Sequence, residues 1–375
     1  MADNNENRFT NNLGTSVGEA KEIIKHHLEI LWSHPECAEK VPPLMLWGPP
    51  GIGKSTIIRE LANELGIGFI DVRLAQREPV DIRGLPVPRD DRQGVDWIVS
   101  SEWPREGQDD YNEQGIILFD EITAADPTLQ VAAYEFILDR RLGKLYEVPK
   151  GWYILAAGNR TSDGAVARTM SSALANRFCH IELTTNAKNW IEWALLNGVD
   201  PSVIGFIRYR PDSLFNMTGN RERGWPSPRT WERVSLEVKL AKKTNLSKNS
   251  LQTIIEGLVG PGAGIEYFAF LQWAENIPDV EAMLRGEIKL DFPERSDRRF
   301  AFVSAVVHAL LESQQPEDLV VGFLTFLIDI PNDWAQMAHH DITWTLSSLG
   351  RVEVLECIYE NKMHEKLQDK IFIEE

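Results

Sequence analysis

The sequence predicts an α/β fold, a parallel sheet with helices on both faces, followed by an all-α half. Three observations carry this. Between residues 41 and 183, short apolar runs alternate with helical patterns, the signature of a parallel sheet with crossover helices. The first apolar run is followed by a glycine-rich turn, GPPGIGKS, and then by an amphipathic helix, a strand–loop–helix unit. Beyond residue 184 the strand signals stop while helical periodicity continues, as in Val303, Val306, Val307, Leu310 and Leu311.

In chain order, residues 1–14 are rich in Asn without periodicity and read as a disordered tail. Ser16 and Glu19 have the spacing of a capping box, and Ala20, Ile23, Ile24, Leu28 and Leu31 continue at helical intervals, which predicts a helix over 17–32. Strands are expected at 44–47, 69–72, 116–119 and 153–156, with a weaker fifth at 180–183. Between them, Ile57, Ile58, Leu61, Ala62 and Leu65 mark one helix, and Leu129, Ala132, Ala133, Phe136 and Ile137 another, the latter opened by Asp126 and Pro127. Residues 76–114 are dense in Pro, Gly, Asp and Arg and read as an insertion carrying a short hairpin around 95–99. The expected domains are the tail, an α/β core over 15–183, a first helical bundle over 184–241 and a C-terminal helical region over 242–375.

Composition narrows the function. With 375 residues, 43% hydrophobic and 25% charged, the chain can bury large cores, and no unbroken apolar run is long enough to span a bilayer. Asp and Glu number 56 against 39 Lys and Arg, a formal charge of −17, which argues against extended contact with nucleic-acid backbone. Cys37, Cys179 and Cys357 form no CxxC pair, so neither a disulfide framework nor a thiolate zinc site is expected. The polar, acidic start lacks the pattern of a secretory signal, and the expected location is cytoplasmic.

GPPGIGKS spans Gly48, Pro49, Pro50, Gly51, Ile52, Gly53, Lys54 and Ser55, with Thr56 next, and fits G-x-x-x-x-G-K-[ST]. Its glycines let successive backbone N–H groups turn toward phosphate oxygens, and the helix start adds its positive dipole end. Lys54 would then reach the terminal phosphates of ATP, and the Ser55 hydroxyl would ligate Mg²⁺. The run 116–119 delivers Asp120 and Glu121 at its carboxyl end, where ligands of parallel sheets collect. Asp120 would complete the Mg²⁺ shell and Glu121 would orient the attacking water. The run 153–156 leads to Asn159, which could bind the γ-phosphate or that water, although an Asn at a strand end is also an ordinary turn former.

The ordered motifs GPPGIGKS, ILFDE, AAGN, ANRF at residues 175–178 and SPR at residues 227–229 resemble AAA+ ATPases, particularly their MoxR-like branch, over residues 41–234. The resemblance implies Asn159 as the sensor-one residue, Arg177 as an arginine finger acting on a neighbouring subunit, and Arg229 as the sensor-two arginine of a helical lid over 184–241. Arg140, Arg141, Arg160 and Arg168 are rival fingers. It further implies ATP bound between core and lid, a homo-oligomeric and hexameric ring, a hairpin around 141–152, and a protein client or partner, with proteins bearing a von Willebrand A domain as one such class. A nucleic-acid-acting or restriction-type NTPase, and a nucleotide-gated adaptor with little turnover, are the alternatives.

Other signals weaken on inspection. His34-Pro35-Glu36 lacks the PCxxC that would complete a zinc deaminase site. Gly260 to Gly264 follows a helical pattern and reads as a turn between helices, not as a second phosphate loop.

Overall fold

Five apolar runs pair as one parallel sheet, in the spatial order Gly68–Arg73, Gly115–Asp120, Trp152–Gly158, Leu44–Trp47 and Cys179–Glu182. The computed structural model describes residues 14–108, 111–163, 167–168, 170, 172–217, 223–289 and 291–371. The expected tail, residues 1–14, lies outside these except for Gly14. The chain divides into two compact units, Met1–Thr185 and Asn186–Glu375.

The first unit runs α1 (Val17–Ser33), β1 (Leu44–Trp47), α2 (Lys54–Leu65), β2 (Gly68–Arg73), α3 (Pro79–Arg83), β3 (Leu85–Pro88), β4 (Val95–Ile98), β5 (Gly115–Asp120), α4 (Pro127–Asp139), β6 (Arg141–Leu142), β7 (Tyr146–Glu147), β8 (Trp152–Gly158), α5 (Ser172–Ala175) and β9 (Cys179–Glu182). The capping box expected from Ser16 and Glu19 opens α1, with the Ser16 amide donating to Glu19 Oε2 at 2.8 Å and the Glu19 amide to Ser16 Oγ at 3.2 Å. Asp126 caps α4 by accepting from the Thr128 amide, and Pro127 takes the first helical position, where its missing N–H costs nothing.

Ile116, Ile117, Leu118 and Phe119 are wholly buried, as a strand covered by helices on both faces requires. At the start of the sheet Gly68 pairs with Gly115, and Gly115 with Trp152. A Cβ on either glycine would stand 2.6 Å from the Trp152 indole, so both positions are small because the ring lies across them.

The insertion is more structured than a solvated loop. It forms α3 and the antiparallel hairpin β3–β4, and it sends Trp103 into the core, fully buried, with its ring centroid 4.5 Å from that of Phe136. Residues 141–152 hold a minimal hairpin, Arg141 opposite Glu147 and Leu142 opposite Tyr146.

The second unit is helical throughout its described residues: α6 (Ala187–Leu196), α7 (Pro201–Tyr209), α8 (Pro228–Thr244), α9 (Lys248–Ala274), α10 (Val280–Leu284), α11 (Ser296–Glu312), α12 (Val320–Asp329), α13 (Asn332–Ser348), α14 (Val352–Tyr359) and α15 (Lys362–Ile371). One apolar cluster gathers Trp190, Phe206, Trp231, Tyr267 and Leu271; another gathers Val306, Phe323, Leu327, Ile342 and Ile358. Arg208 and Asp341 form a buried ion pair at 2.5 Å that joins α7 to α13.

The glycine-rich run in this half breaks a helix, as its context suggests. Gly260 has φ 80° and ψ 158° inside α9, immediately before Pro261. Among the described residues α9 is the one helix long and apolar enough by composition to cross a bilayer, but it carries Glu256 and Glu266 and breaks at Gly260, so it is not an unbroken apolar run. Its Ile255, Val259, Tyr267 and Leu271 are taken up in the helical core.

Candidate active site

The carboxyl edge of the sheet gathers the ends of β1, β5 and β8. The chain leaves β1 through the glycine-rich loop, and Gly53, with φ 93°, turns it into α2 in a conformation that penalises any side chain. Lys54 follows as the first helical residue and is only 8% exposed. Its ammonium donates to Gly48 O at 2.6 Å, Pro49 O at 3.1 Å and Asn159 Oδ1 at 2.8 Å. A buried ammonium needs such acceptors, and here they are the carbonyls of its own loop plus the side chain at the end of β8.

Ser55 Oγ donates to Asp120 Oδ2 at 2.5 Å. The other Asp120 oxygen accepts from the Glu121 amide at 2.9 Å, so the carboxylate is held at both ends. A hydroxyl and a carboxylate side by side are hard oxygen donors, and that donor set fits Mg²⁺. Glu121 is exposed and has φ 55°, a left-handed conformation that costs a non-glycine residue about 1–2 kcal/mol. Strain of that kind clusters at functional sites.

Thr123 is a residue that sequence reasoning missed. It is 1% exposed, and its hydroxyl accepts from the Asn159 amide at 3.0 Å, tying the turn after β5 to the end of β8. The backbone bond from the Ile122 amide to Ala157 O, 3.1 Å, reinforces the same junction. The only signal was a small polar residue just past two strand-end carboxylates.

Lys54, Ser55, Asp120, Glu121 and Asn159 therefore meet at one edge, on loops set by three parallel strands. Arg177 does not join them. It lies in the turn between α5 and β9, is exposed, and forms no ion pair among the described residues. It borders a cavity of about 290 Å³ shared with Glu39, Pro42, Asp139 and Tyr153, at the edge where β1 and β8 begin. Four to seven strand residues at about 3.3 Å each separate the two edges by roughly 13–23 Å.

The rival arginines are engaged. Arg140 is buried and donates to Pro149 O and Trp152 O, and burial lowers its pKa to about 10. Arg160 pairs with Asp163 and Glu182, Arg168 with Asp126, and Arg141 approaches Glu135 at 4.0 Å. His180 links the two edges: it accepts from Trp47 Nε1 at 2.8 Å and donates from Nε2 to Ala175 O at 2.7 Å. That places the residue before Gly48 and the turn before Arg177 on one imidazole. Arg229 lies in the helical unit, in the first turn of α8, behind the Ser227–Thr230 capping box.

Residues 44–182 match the family described as ATPase family associated with various cellular activities (AAA). This segment is an AAA ATPase domain. Its limits coincide with the sheet from the first residue of β1 to the last of β9. A stretch of 59 residues, 14% of this chain, is 44% identical to Protein SAV of Sulfolobus acidocaldarius and spans 8% of that protein's length. Among solved structures, two mutants of Thermotoga maritima RuvB align at 16% and 14% identity with TM-scores of 0.38 and 0.37. The first alignment covers 74% of this chain and 80% of that one, the second 79% and 78%. Likenesses at those scores add nothing to the strand order described above. The match covers the first unit's sheet and implies nucleotide binding there; it leaves the helical unit unassigned.

Proposed function

We propose that the chain is a Mg²⁺-dependent ATPase resembling the MoxR-like branch, which assembles as a homo-oligomeric ring and couples turnover to remodelling or activating a protein partner. The observation that carries the ATPase part is the meeting of Lys54, Ser55, Asp120, Glu121 and Asn159 at one sheet edge. The ring rests on Arg177, which stands at the opposite edge, beyond reach of the phosphates that its own loop would hold. The protein partner rests on the family resemblance and on a charge of −17, which disfavours nucleic acid. Proteins bearing a von Willebrand A domain remain the partner class that the resemblance suggests.

On this reading the loop amides from Gly51 to Ser55 bind the phosphate tail, and Lys54 turns from Gly48 O and Pro49 O toward it. Ser55 and Asp120 would hold Mg²⁺, which would supply charge neutralisation for the bound phosphates. Glu121 accepts a hydrogen bond from the attacking water and orients it, while Asn159 fixes the water or the γ-phosphate. Arg177 of a neighbouring copy would approach the transferred group from outside, where an added positive charge stabilises the transition state. Arg229 is assigned to nucleotide sensing by the Ser227-Pro228-Arg229 motif.

The test pairs two measurements on the full chain: phosphate release with Mg²⁺ and ATP, and particle mass with and without nucleotide. Turnover with ATP-promoted assembly supports the reading. A folded chain that releases no phosphate overturns it, and turnover by a chain that stays monomeric removes the ring.

A further inference from the structure

The insertion hairpin is asymmetric in a way that the candidate active site does not use. β3 and β4 pair as Leu85↔Ile98, Pro86↔Trp97, Val87↔Asp96 and Pro88↔Val95, and they form a two-stranded sheet of their own. The turn fixes which pairs are hydrogen-bonded, because the Arg89 amide donates to Gly94 O at 3.0 Å in the same register. Alternation then makes Val87↔Asp96 and Leu85↔Ile98 the bonded pairs. The backbone groups of residues 86, 88, 95 and 97 point away from the partner strand.

On β3 both outward positions are prolines, Pro86 and Pro88, which have no N–H. A strand laid against that edge would find acceptors and no donors. On β4 the outward positions are Val95 and Trp97, each with a donor and an acceptor, and all four residues of β4 are exposed. Copies of this hairpin cannot stack head to tail, since β4 of one would need the β3 edge of the next. The open edge is also apolar on both faces, with Trp97 43% exposed on one and Ile98 59% exposed on the other.

We infer that the β4 edge receives an extended segment of a partner polypeptide as a third strand, its backbone bonded to Val95 and Trp97. The segment is apolar at alternate residues, to lie along Trp97 or Ile98, and basic between them. Asp96 is paired with Arg89 at 2.8 Å, which leaves Asp90 and Asp91 against Arg92 at the turn, on a chain of net charge −17. This deepens the remodelling reading by giving the means of holding a client, and it rests on that reading only for calling the guest a client.

The probe is a fluorescein-labelled peptide of about nine residues alternating valine and lysine, followed by anisotropy with the full chain. Saturable binding is expected, about tenfold weaker for a peptide N-methylated at every residue, which has the same charge but offers no N–H along either edge. Val95→Pro removes one outward N–H, leaves both bonded pairs of the hairpin, and should weaken binding about tenfold; Trp97→Leu keeps the backbone donor and should weaken it about threefold or less. Thermal melts establish that each variant is folded. Equal binding of the N-methylated peptide, unimpaired binding by folded Val95→Pro, or no binding to the wild-type chain overturns the inference. Phosphate release from the same samples separates the two readings: peptide binding without turnover refutes the ATPase alone, and turnover with an indifferent β4 edge refutes only the third strand.

Discussion

The ammonium of Lys54 and the side-chain oxygen of Asn159 lie 2.8 Å apart, joining the end of the glycine-rich loop to the end of β8. The same ammonium is satisfied by Gly48 O and Pro49 O, so a phosphate tail must replace bonds that already exist. The two residues should then separate in function. Lys54→Ala leaves those carbonyls and the incoming phosphates without a cation and should abolish measurable ATP binding. Asn159→Ala keeps the cation and should bind ATP within a few-fold of wild type while turnover falls about 10–100-fold, since positioning groups act mainly on the chemical step. Nucleotide fluorescence titration and phosphate release on each variant check the split.

Glu121 combines exposure with φ 55°, and that conformation makes stability and turnover move in opposite directions. Glu121→Gln preserves the shape and removes the carboxylate, so ATP binding should persist while turnover drops about 10²-fold or more. Glu121→Gly relieves the left-handed strain and should raise the melting midpoint by about 2–4 °C while being just as inactive. A glycine variant that melts lower than wild type would show that the strain is not carried by this residue.

Ser55 and Asp120 share one hydrogen bond at 2.5 Å, in the place where a divalent cation would need both oxygens. Removing the metal with a chelator should stop phosphate release. Ser55→Ala should raise the Mg²⁺ concentration for half-maximal turnover about tenfold, with a smaller effect on ATP binding measured without metal. If the Mg²⁺ dependence of Ser55→Ala overlays that of the wild type, the hydroxyl serves only to orient Asp120.

Much of this arrangement is legible in the sequence because each strand carries its own chemistry at its end. Four apolar residues in a row followed by Asp120 and Glu121 leave little choice about which face is buried and which end is functional. The capping residues of α1 and α4 are legible for a similar reason, since each satisfies a backbone donor in its own first turn. What is hidden depends on distant parts of the chain. Pro86 and Pro88 make β3 look like loop, because its strand character exists only through pairing with β4. Thr123 and Arg140 act through backbone groups that folding brings to them, and Trp103 becomes a core residue only when the insertion closes over Phe119 and Phe136.

The helical unit should have its own acid sensitivity. His339 and His364 bring their Nε2 atoms to 3.2 Å between α13 and α15, and burial together with the neighbouring His364 lowers the pKa of His339 to about 4. A histidine whose folded pKa lies below its unfolded value favours the neutral form when folded. Its stabilisation is full above about pH 6.5 and is lost as pH falls toward 4, because the unfolded chain binds the proton first. The melting midpoint should therefore fall over that window, and His339→Gln, which cannot titrate, should flatten the fall. A parallel decline in both proteins would assign it to other histidines whose pKa burial lowers, such as His308 and His27.

Arg177 offers the sharpest test of assembly. It is exposed at the edge where β1 and β8 begin, while Lys54 and Asn159 sit at the other edge, so one copy cannot bring both to one nucleotide. In a ring, each competent site needs Lys54 from its owner and Arg177 from a neighbour. Arg177→Ala and Lys54→Ala should each lose turnover, the first while still binding ATP. Mixed in equal amounts and allowed to exchange, about a quarter of the interfaces pair an intact Lys54 with an intact Arg177, and turnover should return to about that fraction of wild type. The restoration has no explanation within a single copy, because neither variant contains a complete site. Mixed particles that demonstrably co-assemble yet release no phosphate would remove Arg177 from the chemistry and leave it lining the cavity beside Glu39 and Asp139.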